Sequence, residues 1–166
     1  MSDSPRRNRR WIWFFVTLTV TAVAALVVLN RFMWSRQLTL AQLQQAAELW
    51  DKNGPRDYDM KYIQTGSTSG TYYIRVRQGK AVKVVRNGEA LESKQYVYYG
   101  MPALFGFIEA FLKQDAEPGK PRTLTTATLD PQDGHVLRFY RRVLGGGNEQ
   151  VEITVTDLTP VTPAGP

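Results

Sequence analysis

Residues 11–29 run Trp-Ile-Trp-Phe-Phe-Val-Thr-Leu-Thr-Val-Thr-Ala-Val-Ala-Ala-Leu-Val-Val-Leu without a charge, whereas later apolar stretches are broken by polar residues. A helix of that span is roughly 28 Å long at about 1.5 Å per residue, close to the roughly 30 Å hydrocarbon core of a bilayer. The pattern therefore predicts a transmembrane helix. Thr17, Thr19 and Thr21 are expected to bond back to carbonyls one turn earlier. A cleaved signal peptide is the competing reading, with Ala22-Val23-Ala24 as its small-residue cleavage site, but residues 25–29 stay apolar beyond that cut and favour an anchor. Arg6, Arg7, Arg9 and Arg10 precede the span, and Arg31 and Arg36 follow it. This asymmetry places 1–10 in the cytoplasm as a basic tail and the body of the chain outside it, extracytoplasmic or periplasmic. Arg10, Trp11, Trp13, Arg31 and Trp34 are the expected anchor and interface residues, with the lipid bilayer as their partner.

Beyond a juxtamembrane linker at 30–38, the apolar period changes. Leu40, Leu43, Ala47 and Trp50 recur at helical spacing, Thr39 and Gln42 have capping-box spacing, and Gly54-Pro55 stops the run, which predicts a helix over 39–52. Strict alternation comes next. Tyr58, Met60 and Tyr62 form one face of a first strand, and Ile74 and Val76 form the same face of a second across Gly66–Gly70. Pairing Thr65 with Thr71 sets Tyr62 opposite Ile74 and Met60 opposite Val76, with Asp59, Lys61, Arg75 and Arg77 on the other face. A two-residue loop at Gln78-Gly79 would turn Lys83 inward; a three-residue loop at 77–79 instead places Val82 and Val84 beside Ile74, and is the one expected. Asn87-Gly88 signals a further turn to a weak edge segment ending near Leu91.

Tyr96, Tyr98 and Tyr99 lead into a second helix over 102–114, opened by Pro102 and buried through Leu104, Ile108, Phe111 and Leu112. Three strands complete the domain, over 123–129, 135–143 and 151–158, with a turn at 130–134, glycines at 145–147 and a Pro-rich tail over 159–166 expected to be disordered. The predicted fold class is α+β: an N-terminal transmembrane helix, then an α-β-β-β-α-β-β-β domain over 39–158 with an antiparallel sheet and helices packed on one face. Its two α-β-β-β halves look like copies of one unit.

The net charge of +6 suggests nucleic acid until it is divided. Residues 1–36 hold six arginines and one aspartate, a net of +5; residues 37–166 hold fifteen basic and fourteen acidic residues, a net of +1. The excess is a topology and lipid-head signal, so no nucleic-acid partner is expected. Without cysteine, disulfides, thiolate metal sites and cysteine nucleophiles are excluded.

Residues 57–158 resemble a bacterial family of small extracytoplasmic domains of unknown function, carried on lipoproteins and membrane-anchored proteins. The matching features are residues 58–62 (Tyr-Asp-Met-Lys-Tyr), residues 73–82 from Tyr73 to Val82, and Leu104-Phe105 with Ile108. Asp130-Pro131-Gln132-Asp133-Gly134 and the closing strand complete them. The chain departs from that family in lacking cysteines in the first hairpin and in having Val136 where a proline is common. The resemblance implies location and fold, and no activity.

No residue set converges on a reaction. His135 is the only histidine, Asp57 and Asp59 share a strand face with basic neighbours, and Asp130 and Asp133 bracket a turn where aspartate bonds backbone. The glycines at 145–147 lack the Lys-Ser/Thr of a phosphate loop. No catalytic, cofactor or metal site is expected, and the chain reads as not an enzyme. The better lead is a surface: Tyr73, Arg75 and Lys83 share the outward face of the first meander, and Arg138, Tyr140 and Arg142 share one face of the second. Arginine and tyrosine anchor protein interfaces, so a noncatalytic module for an envelope protein partner is expected. The alternative is a small-ligand pocket between the second helix and the sheet, formed by Tyr96, Tyr98, Phe105 and Phe107.

Overall fold

The computed structural model describes residues 11, 14–21, 37–145 and 149–161. Residues 14–21 are helical, and the three threonines bond back as expected: Thr17 Oγ1 donates to Phe14 O at 3.0 Å, Thr19 Oγ1 to Phe15 O at 2.8 Å and Thr21 Oγ1 to Thr17 O at 2.8 Å. Among the described residues no helix is long and apolar enough to cross a membrane, so the transmembrane helix of the predicted fold class is not supported. Of its interface residues, Trp11 is exposed against Phe14 and Phe15, while Arg10, Trp13, Arg31 and Trp34 lie outside the described residues, as does the cleavage site at 22–24.

The unit from Leu38 onward is an α+β domain. Its elements are α1 (Leu40–Asn53), β1 (Tyr58–Gly66), β2 (Gly70–Arg77), β3 (Lys80–Arg86), β4 (Glu89–Ala90), a 3-10 helix (Ser93–Tyr98), α2 (Met101–Asp115), β5 (Thr123–Leu129), β6 (Val136–Val143) and β7 (Gln150–Pro160). Thr39 caps α1 with the expected box: its Oγ1 accepts from Gln42 N–H, and Gln42 Oε1 accepts from Thr39 N–H at 2.9 Å. The strands form one antiparallel sheet in the order β4-β3-β2-β1-β7-β6-β5.

Both helices cover one face. Leu43 and Trp50 of α1 and Met101, Leu104, Phe105 and Ile108 of α2 join Met60, Ile74, Val84, Phe139 and Ile153 in a single core. Each fully buried large side chain contributes about 1.5–3 kcal/mol. The turn between β5 and β6 docks on α1, where Asn53 Nδ2 donates to Gln132 O at 3.0 Å. Gly134 there has φ +80°, and a Cβ would sit 2.2 Å from Ala46 O, so only glycine fits.

Four expectations are corrected. The β1–β2 register slips by two residues, pairing Tyr62 with Tyr72 and Met60 with Ile74; an even slip keeps every side chain on its face. The β2–β3 loop is the two-residue Gln78-Gly79, both at positive φ, and a bulge after Arg75 opposes it. Val82 is the extra residue and is exposed, which returns Lys83 outward and Val84 inward against Ile74. The tail begins later than 159, because β7 continues through Thr159 and Pro160 beside Asp59 and Tyr58; residues 162–166 lie outside the described residues. Finally, the halves are not superposable copies. Both run third-second-first across the sheet, but with strand directions reversed and both helices on one face. A rotation that reverses direction while keeping order turns the sheet over, which would move α2 to the opposite side.

One inward position of β6 is charged. Arg141 donates from Nε to Asp115 Oδ2 at 2.9 Å and from Nη2 to Oδ1, and its guanidinium lies 4.6 Å from the centre of the Phe111 ring. Asp115 ends α2, where the helix dipole disfavours a carboxylate, so the arginine also offsets that term. Burial pushes the Asp115 carboxyl up, but hydrogen bonds from Arg141 and Thr123 outweigh it and hold the pKa below the ordinary 3.8. Removing one partner leaves a buried lone charge: Asp115→Ala or Arg141→Ala should each cost about 3–5 kcal/mol in urea unfolding, and the pair Asp115→Leu with Arg141→Met far less. Because the folded carboxyl has the lower pKa, its contribution holds above 3.8 and is lost as pH falls through the folded value. Unfolding midpoints across that acid range should drop more steeply in the parent than in Asp115→Asn.

Candidate functional site

The face of the sheet opposite the helices is uncovered, and alternation assigns it Asp59, Lys61 and Ile63 of β1, Tyr73, Arg75 and Arg77 of β2, and Lys83 of β3. Beyond the centre it carries Glu152, Thr154 and Asp157 of β7 and Arg138, Tyr140 and Arg142 of β6. All six residues singled out from the sequence therefore lie on one face of one sheet. They do not form one cluster: β1 and β7 stand between β2 and β6, so the two groups are about 14 Å apart at about 4.8 Å per strand. Tyr73 is 44% exposed and Tyr140 is half-buried.

Acids neutralise part of this face. Asp59 meets Arg77 at 2.9 Å and Arg75 at 3.6 Å, and Glu152 Oε1 accepts from Arg138 Nε at 2.9 Å. Lys61, Lys83 and Arg142 have no acid at ion-pair distance among the described residues. Lys61 and the exposed Ile63 belong to the surface too, since β1 runs through the middle of the sheet; its alternating pattern marked their face, and only the strand order gives them a central place.

On the helix side, the four aromatics expected to form one pocket are dispersed. Phe105 is in the core, Tyr98 and Phe107 line a cleft of about 160 Å³, and Tyr96 lines another of about 420 Å³. Tyr99, Gly100 and Ala103 are common to both clefts. Tyr62 and Tyr72 stack at 4.6 Å beside the smaller one. Burial raises the phenol pKa values of Tyr58, Tyr62 and Tyr99, so these hydroxyls stay protonated and neutral at ordinary pH. They supply hydrogen bonds rather than a base. Tyr58, absent from the sequence-based surface, closes the N-terminal end of α2: its Oη accepts from Met101 N–H at 2.9 Å, beside Gly100 at φ +104°.

The remaining polar cluster is a turn. Asp130 Oδ1 accepts from Gln132 N–H at 2.7 Å, and Asp133 Oδ1 accepts from His135 N–H at 3.0 Å and lies 2.6 Å from His135 Nδ1. These side chains lie within 4.8 Å of one another, and the carboxylates cap backbone as aspartates in turns do. Asp57 likewise accepts from Gln78 N–H at 2.6 Å.

Comparison with protein-family models, characterised proteins and solved structures returns no match.

Tyr58→Phe removes the acceptor of a buried N–H while keeping the ring. It should lower stability by about 1–3 kcal/mol, read from the urea midpoint at unchanged slope.

Proposed function

We propose that the chain is a noncatalytic binding module whose open sheet face receives an acidic protein surface. The observation that carries this reading is the uneven charge of that face. Lys61, Arg75, Arg77, Lys83, Arg138 and Arg142 stand against Asp59, Glu152 and Asp157, although residues 37–166 as a whole are nearly balanced. An antiparallel sheet with one solvated face is ordinary, so exposure alone argues nothing. Excess cations interleaved with Tyr73 and Tyr140 argue for a partner, because arginine and tyrosine combine contact area with carboxylate recognition. The neutral phenols and the turn-bound Asp130 and Asp133 support the noncatalytic part of the reading.

The test places a photocrosslinking side chain at position 73 or 140 of the full chain in its own cells. A discrete protein adduct is expected, weakening with added salt. Arg75→Glu, Arg138→Glu and Arg142→Glu together should weaken the association roughly ten- to hundredfold, at about 0.5–1 kcal/mol per exposed charge, with the circular dichroism spectrum unchanged. An adduct indifferent to those reversals and to salt overturns the reading.

A further inference from the structure

The larger cleft lies on the other side of the sheet, at the end where β7 leaves it. One cross-sheet row runs Pro160–Tyr58–Val76–Ala81, and the last three of these line the cleft. The cleft thus begins one strand from Pro160 and ends three strands away, about 14 Å at about 4.8 Å per strand. Val161 N–H donates to Asp57 O at 2.8 Å and holds the C-terminal end of β7 against β1. Residues 160–166 read Pro-Val-Thr-Pro-Ala-Gly-Pro, with prolines at 160, 163 and 166 and no charge. Three residues is the period of a polyproline II helix, which puts the prolines on one side. At about 3.1 Å per residue, 162–166 extend roughly 16 Å, which matches the span of the cleft.

The chemistry is complementary as well. A polyproline II strand has no internal hydrogen bonds, and its prolines have no N–H, so it offers mainly carbonyl acceptors and ring faces. The cleft offers the converse: Tyr96 and Tyr99 bring rings and hydroxyls, Ser93 and Lys80 add donors, and no carboxylate lines it. Val97, at its mouth, is 75% exposed, an apolar side chain with nothing over it among the described residues. Aromatic-lined grooves are the usual receptors for Pro-x-x-Pro segments.

We infer that the 420 Å³ cleft between the β2–β3 turn, the 3-10 helix and the start of α2 is a polyproline II receptor, and that its occupant is the chain's own 162–166 segment. The segment crosses the end of the sheet past β1 and β2 and sets Pro163 and Pro166 against the tyrosines. This docking is independent of the open face, because it uses the opposite side of the sheet.

Amide resonances of the full chain, of the chain ended after Val161 and of Pro163→Ala with Pro166→Ala test it. Gly79, Ala81, Ser93 and Val97 should shift between the full and shortened chains, without change on dilution, and the double proline variant should lose that difference. A synthetic peptide of residues 159–166 added to the shortened chain should restore the shifts saturably, and Val97→Asp should abolish the restoration. Identical cleft resonances in the full and shortened chains overturn the proposal. Shifts that fade on dilution also overturn it, since they assign the segment to a second copy.

Discussion

The pairing of β1 with β7 is the interaction on which the rest depends. It joins residues 58–66 to residues 151–160, the first strand of one meander to the last of the other, and every strand further out is reached from these two. Nothing local brings them together, so the loop-closure entropy must be met by burial that exists only once both meanders are present. The helices reinforce that dependence. α1 precedes the first meander, yet Asn53 and Ala46 hold the turn between β5 and β6; α2 precedes the second, yet its first N–H is held by Tyr58 of β1. Trp50 sits edge-on to Tyr58 at 5.4 Å and against His135 at 6.3 Å, touching both halves at once. Neither half closes a core alone, and this interdependence gives one sheet rather than two.

The parts of this arrangement that were legible beforehand are those written in adjacent residues. The Thr39–Gln42 box, the Asn87-Gly88 turn, the Asp130–Gly134 turn and the alternation of β1, β2 and β6 are local, and each appears where the sequence puts it. The features that could not be read are non-local or degenerate. A two-residue slip between β1 and β2 leaves every face unchanged, so alternation cannot choose between Tyr62 opposite Tyr72 and Tyr62 opposite Ile74. The bulge at Val82 misleads in a similar way. Apolar spacing asks for both Val82 and Val84 inside, and the chain solves the conflict with a tight turn plus one unpaired residue, which a rule based on loop length alone does not contain. Residues 11–29 match a spanning helix by composition, whereas among the described residues no helix is long and apolar enough to cross a membrane.

The candidate surface shows the same division. Alternation placed Tyr73, Arg75, Lys83, Arg138, Tyr140 and Arg142 on outward faces, and all six are there. Their separation by β1 and β7 depends on strand order, which no stretch of sequence encodes. Arg141 is the instructive miss. Flanked by Tyr140 and Arg142, it reads as one more surface cation, but its parity with Phe139 sends it inward, and its partner is 26 residues away at the end of α2. Only the helix packing reveals that this charge is matched.

The sheet therefore has two chemically distinct sides. Positive charge on the open face is distributed over four strands, where single ion pairs are weak and association needs several contacts at once. The helix side concentrates hydroxyls and aromatic rings in a recess, where a stiff, acceptor-rich strand would lose little conformational entropy on docking.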